Sequence, residues 1–215
     1  MKTSTRAVLF DLDGVLVWSV PMHWHAFQQT FAAVGRPFEL EEYMSFAVGA
    51  SREQVIRRVL GDLPEAELRH HMEEKERHVK RYLEDRGIDT IPGALDFVRS
   101  VRARQIKTAV ASASRTPELL LSSVGALELF DAIVGRTKVA RTKPHPDLYL
   151  LAAETLGVRP EACLVIEDSA VGIEAALAAG MRVLALTTTE GPEGLAKADA
   201  VFEGFDEIRL EKWLS

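Results

Sequence analysis

The sequence predicts an α/β protein: a parallel β-sheet core interrupted by one helical insert. Three observations predict it. Short apolar runs at 6–10, 106–111, 132–134, 162–166 and 182–186 are separated by helical patterns, the alternation expected of repeated βα units. The stretch 20–87 has no convincing strand and many helix formers. The length of 215 residues suits one domain, or a core with a small insert, and is enough to bury a sizeable core.

Taken in order, 6–10 (Arg-Ala-Val-Leu-Phe) reads as a short buried strand that ends at Asp11. A helix near 21–34 follows, with Phe27, Phe31 and Val34 as an apolar stripe at helical spacing. His23 falls on that stripe. Between Gly61-Asp62-Leu63-Pro64 and Gly87 runs one long charged helix, whose Leu68, Met72, Val79 and Leu83 share a face. Lys75 lies three residues after Met72 and four before Val79, so it points with them. Lysine is seldom buried without a partner. His23 and Lys75 are therefore either a satisfied core histidine and a lysine at the edge of the stripe, or two functional groups facing the seam with the sheet. Pro92-Gly93 marks the return to the alternating pattern. Ser19 can cap the helix near 21–34, Ser114 can cap a helix carrying Pro117 in its first turn, and Ser169 can cap 170–179. Gly157 and Gly180 read as C-terminal caps, and Gly191-Pro192-Glu193-Gly194 as a loop before a short closing region. The expected division is a core from 1–17 and 90–215 and a helical insert over 18–89.

Composition narrows the function classes. Hydrophobic residues make up 47% and charged residues 27%, with a formal net charge of −6. An acidic chain has no general attraction for nucleic acid or an anionic membrane, so an anionic substrate needs a local positive field. The first residues, Met1 to Arg6, precede only four apolar residues, too few for a signal peptide. No apolar stretch approaches the ~20 residues that span a bilayer. A cytoplasmic monomer is the expectation. The single cysteine, Cys163, lies in an apolar run and reads as buried and inert.

Four segments carry the chemistry. Asp11-Leu12-Asp13-Gly14 places two carboxylates after a buried strand, at the edge where open α/β sheets bind ligands. Like charges so close call for a cation between them or a proton on one. Both solutions suit phosphoryl transfer, with one carboxylate attacking phosphorus and the other managing a proton. Ala111-Ser112-Ala113-Ser114 ends a strand and opens a helix, a natural phosphate cradle. Lys143-Pro144-His145-Pro146-Asp147 fixes a lysine before a helix, and Glu167-Asp168-Ser169 ends another strand with hard oxygens that suit Mg²⁺. The remaining ligands of a calcium loop do not follow Asp13.

These four segments, in this order, resemble the haloacid dehalogenase superfamily over nearly the whole chain. Ala111 to Arg115, Ile166 to Ile173, Gly180-Met181 and the helical insert resemble its β-phosphoglucomutase-like branch. The resemblance implies a Rossmann-like core, a mobile cap domain and a small phosphorylated metabolite as substrate. It implies that Asp11 forms an aspartyl-phosphate, while Asp13 protonates the leaving oxygen and then activates the acceptor. Ser112 and the Ala113 N–H would hold the phosphoryl group, and Lys143 would offset charge. Mg²⁺ would be held by Asp11, the carbonyl of Asp13, Asp168 and Glu167.

His23, Lys75 and Arg52, in Gly49-Ala50-Ser51-Arg52-Glu53, match the substrate residues of the branch's mutases, and Ser114 and Arg115 lie near their distal phosphate site. The chain departs from them at Trp18, Val48 and Thr116, where the resemblance expects an acid, a lysine and an asparagine. Those losses favour a sugar-phosphate phosphatase over β-phosphoglucomutase. A metal-free dehalogenase and a non-catalytic binding protein are the remaining alternatives. His25, His70 and His71 read as surface residues, His145 as loop filler, and Trp213 as packing of the C-terminus onto the sheet.

Overall fold

In the computed structural model, residues 4–214 are described. Met1, Lys2 and Thr3, at the start of the expected core segment 1–17, and Ser215, at the end of 90–215, lie outside them. Six strands form one parallel sheet: β1 (Ala7–Phe10), β2 (Lys107–Ala111), β3 (Ala132–Val134), β4 (Cys163–Glu167), β5 (Arg182–Leu186) and β6 (Ala200–Phe202). Their order is β3-β2-β1-β4-β5-β6. Strand β1 is central, and every residue in it is buried, as in sheets covered on both faces. Phe10 is in register with Val110 of β2 and with Ile166 of β4. The order reverses at β1, so the carboxyl ends of β1, β2 and β4 flank the switch point where such sheets bind ligands. Strand β6 has no counterpart among the runs the sequence predicts. It is three residues long, half-buried and at the edge, so it shows neither an apolar run nor clear alternation.

Contacts divide the chain into two compact units, one of residues 19–88 and one of the flanking segments. Within the flanking segments, the Trp18 N–H donates to the Asp89 carbonyl at 2.8 Å, so the two ends of the insert leave the sheet unit side by side. The inserted unit holds α1 (Val20–Ala32), α2 (Leu40–Phe46), α3 (Arg52–Leu60) and α4 (Glu65–Arg86), with no strand among its residues. Helix α3 begins with a complete capping box. Ser51 Oγ accepts from the Gln54 N–H, and the Gln54 side chain accepts from the Ser51 N–H. Phe27, Phe31, Phe38 and Tyr43 form an aromatic core, in which Phe31 meets Phe38 edge-on at 5.1 Å between centroids.

The structure departs from the sequence pattern at several local points. Val34 leaves the stripe because α1 ends at Ala32, and its side chain is exposed. Ser19 occupies the position before α1 but makes no side-chain cap bond. His25 is half-buried rather than at the surface. It packs against Tyr82 and lines a cavity of about 210 Å³ with His78, Arg81 and Arg86. Burial, Arg86 and His78 hold its imidazole below the usual histidine range.

The sheet unit adds α5 (Ala94–Arg102), α6 (Pro117–Ser123), α7 (Asp147–Leu156), α8 (Ala170–Ala178) and α9 (Leu210–Leu214). Leu148, Tyr149, Ala152 and Leu156 of α7 and Ile173 and Ala176 of α8 bury one sheet layer with Leu9, Val165 and Cys163. Ser169 caps α8 by accepting from the Gly172 N–H, and Gly157 closes α7 in the left-handed region. Ser114 does not cap α6. Thr116 holds that position, and Ser114 Oγ accepts only from the Thr116 N–H at 3.3 Å. No helix among the described residues is long and apolar enough to cross a membrane.

Candidate active site

Asp11 follows β1 directly and is held there by its N–H, which donates to the Ile166 carbonyl at 3.0 Å. Its carboxylate is nearly buried. Lys143, in the turn before α7, places Nζ 2.6 Å from Asp11 Oδ1 and 2.5 Å from Glu167 Oε1. Glu167 ends β4 and is fully buried. Tyr149 Oη, from α7, also donates to its Oε1 at 2.8 Å. Its Oε2 accepts from the N–H groups of Asp168 and Ser169 and from Ser169 Oγ. Asp168, 3% exposed, completes the cluster. Carboxylate oxygens of Asp11, Glu167 and Asp168 lie within 4.8 Å of one another.

One lysine faces four acidic side chains, and the charge imbalance shows in their proton affinities. Burial, with Glu167 and Asp13 adding, pushes Asp11 up to about 7 in spite of Lys143. Burial and the charges of Glu167 and Asp11 push Asp168 well above the carboxylate range. Burial would raise Glu167 too, but Lys143 and the bonds from Lys143, Tyr149 and the Asp168 N–H hold it low. Burial works to lower Lys143, but Asp11 and Glu167 hold it well above its usual value, so it stays charged. A hard, buried, proton-retaining cluster of this kind fits a divalent cation, which neutralises the charge that otherwise needs protons.

Two turns shape the site. After Asp11 the chain folds back, with the Gly14 N–H donating to the Val17 carbonyl at 2.8 Å. Gly14 has φ +77°, and a Cβ there would fall on the Asp168 carboxylate and the Thr189 hydroxyl. Asp13, half-buried on this turn, lies close enough to act on Asp11 electrostatically. One strand over, Ser112 is fully buried and its Oγ accepts from the Ser114 N–H at 2.9 Å. Ala113 and Arg115 are exposed on the turn that follows, and Ser114 is half-buried.

In the helical unit, His23 Nδ1 of α1 lies 2.9 Å from Lys75 Nζ of α4, and Lys75 sits over the Phe27 ring at 5.1 Å. Lys75 is thus a buried, partnered lysine. Arg52 begins α3 and pairs with Glu76 at 2.8 Å. Consecutive residues of α4 therefore hold the two groups His23 and Arg52. Tyr149, Thr188 and Thr189 also serve the sheet-unit site but gave no sequence signal. Tyr149 reads as a core aromatic, and the threonines read as the polar end of β5.

A parallel sheet with a buried aspartate directly after its central strand, a lysine against it and a strand-end acidic pair points to a class of hydrolase. The chain matches the haloacid dehalogenase-like hydrolase family over residues 5–180 and belongs to that family of enzymes. Within it, the chain falls among β-phosphoglucomutase-like proteins. It is 35% identical to protein CbbY of Cereibacter sphaeroides over 94% of each chain. It is 30% identical to hexitol phosphatase A of Escherichia coli, over 96% of this chain and 94% of that one. The crystal structure of β-phosphoglucomutase from Clostridium difficile superposes with a TM-score of 0.85 at 28% identity, covering 97% of this chain and 95% of that one.

Proposed function

We propose that the protein is a Mg²⁺-dependent phosphatase that hydrolyses a small sugar phosphate through an aspartyl-phosphate on Asp11. The observation that carries this is the Lys143 ammonium 2.6 Å from Asp11, inside a buried carboxylate cluster at the strand ends. An Asp11 oxygen attacks phosphorus as the bond to the sugar oxygen breaks. Asp13, protonated, gives its proton to that oxygen. Asp13, now a carboxylate, takes a proton from water as the water oxygen attacks the phosphorus, releasing orthophosphate and free Asp11. Ser112 and the Ala113 N–H hold the phosphoryl oxygens throughout, and Lys143 offsets their charge. Asp11, the Asp13 carbonyl and Asp168 would hold Mg²⁺, with Glu167 beside them. The ion supplies charge neutralisation between nucleophile and phosphate.

The helical unit is assigned the choice of substrate, through His23, Lys75 and Arg52. A phosphatase is favoured over a mutase because Val48 and Thr116 replace residues that a mutase uses, and because Arg52 is already paired with Glu76. The close His23–Lys75 pair favours the second reading, β-phosphoglucomutase. One assay separates them. The protein and Mg²⁺ are incubated with a panel of sugar phosphates, including both anomers of glucose 1-phosphate, and orthophosphate and glucose 6-phosphate are measured apart. Orthophosphate release is expected, abolished by chelation and lowered at least 10³-fold in Asp11→Asn. Glucose 6-phosphate without orthophosphate makes the protein a mutase. Release that survives in Asp11→Asn removes Asp11 as nucleophile.

A further inference from the structure

Three consecutive residues after β5 reach three separate parts of the acidic site. Thr188 Oγ1 donates to the Gly14 carbonyl at 2.5 Å. Thr189 Oγ1 donates to Asp168 Oδ2. Glu190 Oε1 accepts from the N–H of Ala170, the first residue of α8, at 3.1 Å. The side chains thus tie the turn after β1, the carboxylate after β4 and the start of α8 to a single segment. Gly14 completes the fit, since a Cβ there would displace both the Asp168 carboxylate and the Thr189 hydroxyl.

This bonding decides how many carboxylate oxygens the site can offer. Both oxygens of Glu167 are taken, Oε1 by Lys143 and Tyr149, and Oε2 by three donors around Ser169. Asp11 Oδ1 faces Lys143. Asp168 Oδ2 is engaged by Thr189, whereas Oδ1 accepts no hydrogen bond from the described residues. Ca²⁺ takes six to eight oxygens and often a bidentate carboxylate, whereas Mg²⁺ takes a smaller octahedral set of single oxygens. We propose that Thr189 is a positioning residue that restricts Asp168 to one-oxygen coordination and so sets the site's preference for Mg²⁺ over Ca²⁺. This rests on the site being the magnesium centre proposed above.

The test is direct titration of Mg²⁺ and of Ca²⁺ into the substrate-free protein by calorimetry, for the parent, Thr189→Val and Thr189→Ser. Removing the hydroxyl is expected to narrow the Mg²⁺-to-Ca²⁺ affinity ratio about tenfold, the scale on which outer-shell partners act on bound metals. Thr189→Ser, which keeps the hydroxyl, is expected to restore the parent ratio. A loss of packing alone would not be rescued by serine, because serine also lacks the methyl group. Thr189→Ala serves as the hydroxyl-less variant if valine does not fold. A parent that binds Mg²⁺, with an unchanged ratio in the hydroxyl-less variant, overturns this inference alone. A parent that binds neither ion overturns it together with the magnesium reading.

Discussion

At the scale of the residue, Gly14 shows how one position serves turn and chemistry together. Its φ of +77° lies in the region that L side chains avoid, and the space a Cβ would occupy is filled by Asp168 and Thr189. Gly14→Ala therefore combines backbone strain with displacement of a carboxylate in the proposed Mg²⁺ site. A loss of about 2 kcal/mol in stability is expected from the two together, read from urea unfolding without metal. Mg²⁺ affinity in the same variant is expected to fall at least tenfold. Parental Mg²⁺ affinity would mean that the Asp168 position tolerates the shift. Cys163 is the opposite case, a residue that its apolar surroundings bury and keep out of the chemistry. Burial pushes its thiol up to about 12, and Glu161 adds to the effect, so it stays protonated and inert.

At the scale of the element, legibility followed how much of the signal was local. Strands β1, β2, β4 and β5 each carry an apolar, buried stretch of at least three residues, because a parallel sheet covered on both faces demands it, and each is readable in the sequence. Strand β6 is not, because three half-buried residues at an edge acquire their pairing from β5 and not from their own pattern. The same contrast runs through the site. Asp11, Ser112, Lys143 and Asp168 stand at strand ends or helix starts, where sequence position implies spatial position. Thr188 and Thr189 matter through bonds to residues more than a hundred positions away or on a different strand end, and no local pattern encodes that. Helix starts show both outcomes. Ser51 caps α3 with the reciprocal Gln54 bond, at 3.3 Å and 2.9 Å, whereas Ser19 makes no such bond before α1. Ser51→Ala is expected to lower stability by about 1 kcal/mol and Ser51→Gly by only a few tenths, read as shifts in the urea midpoint of the helical signal. Equal shifts for the two variants would deny the cap its role.

At the scale of the whole molecule, the acidic cluster links pH, metal and stability. Without a cation, folding raises Asp11 from 3.8 to about 7, and Asp168 moves in the same direction. Between those values the folded chain holds protons that the unfolded chain has released. Stability then falls as pH rises, because its slope with pH follows the protons bound by the unfolded state minus those bound by the folded state. The contribution is whole below pH 3.8 and is lost by about pH 7. Glu167, held low by Lys143 and its hydrogen bonds, works the other way, but only in the acid range below its ordinary value of 4.5. From pH 5 to 7 the Asp11 and Asp168 effect therefore dominates this cluster. A divalent cation must displace those protons, so its binding strengthens as pH rises through the same window. The expected outcome is a gain in Tm from 10 mM Mg²⁺, about the concentration at which a weak site fills, that is small at pH 5.5 and grows by several degrees toward pH 7.5. Thermal unfolding in paired buffers with and without Mg²⁺ measures it, and Asp168→Asn, which removes one of the proton-holding groups, is expected to flatten the pH dependence. A gain independent of pH in the parent would place the ion elsewhere on this acidic chain, away from the cluster around Asp11.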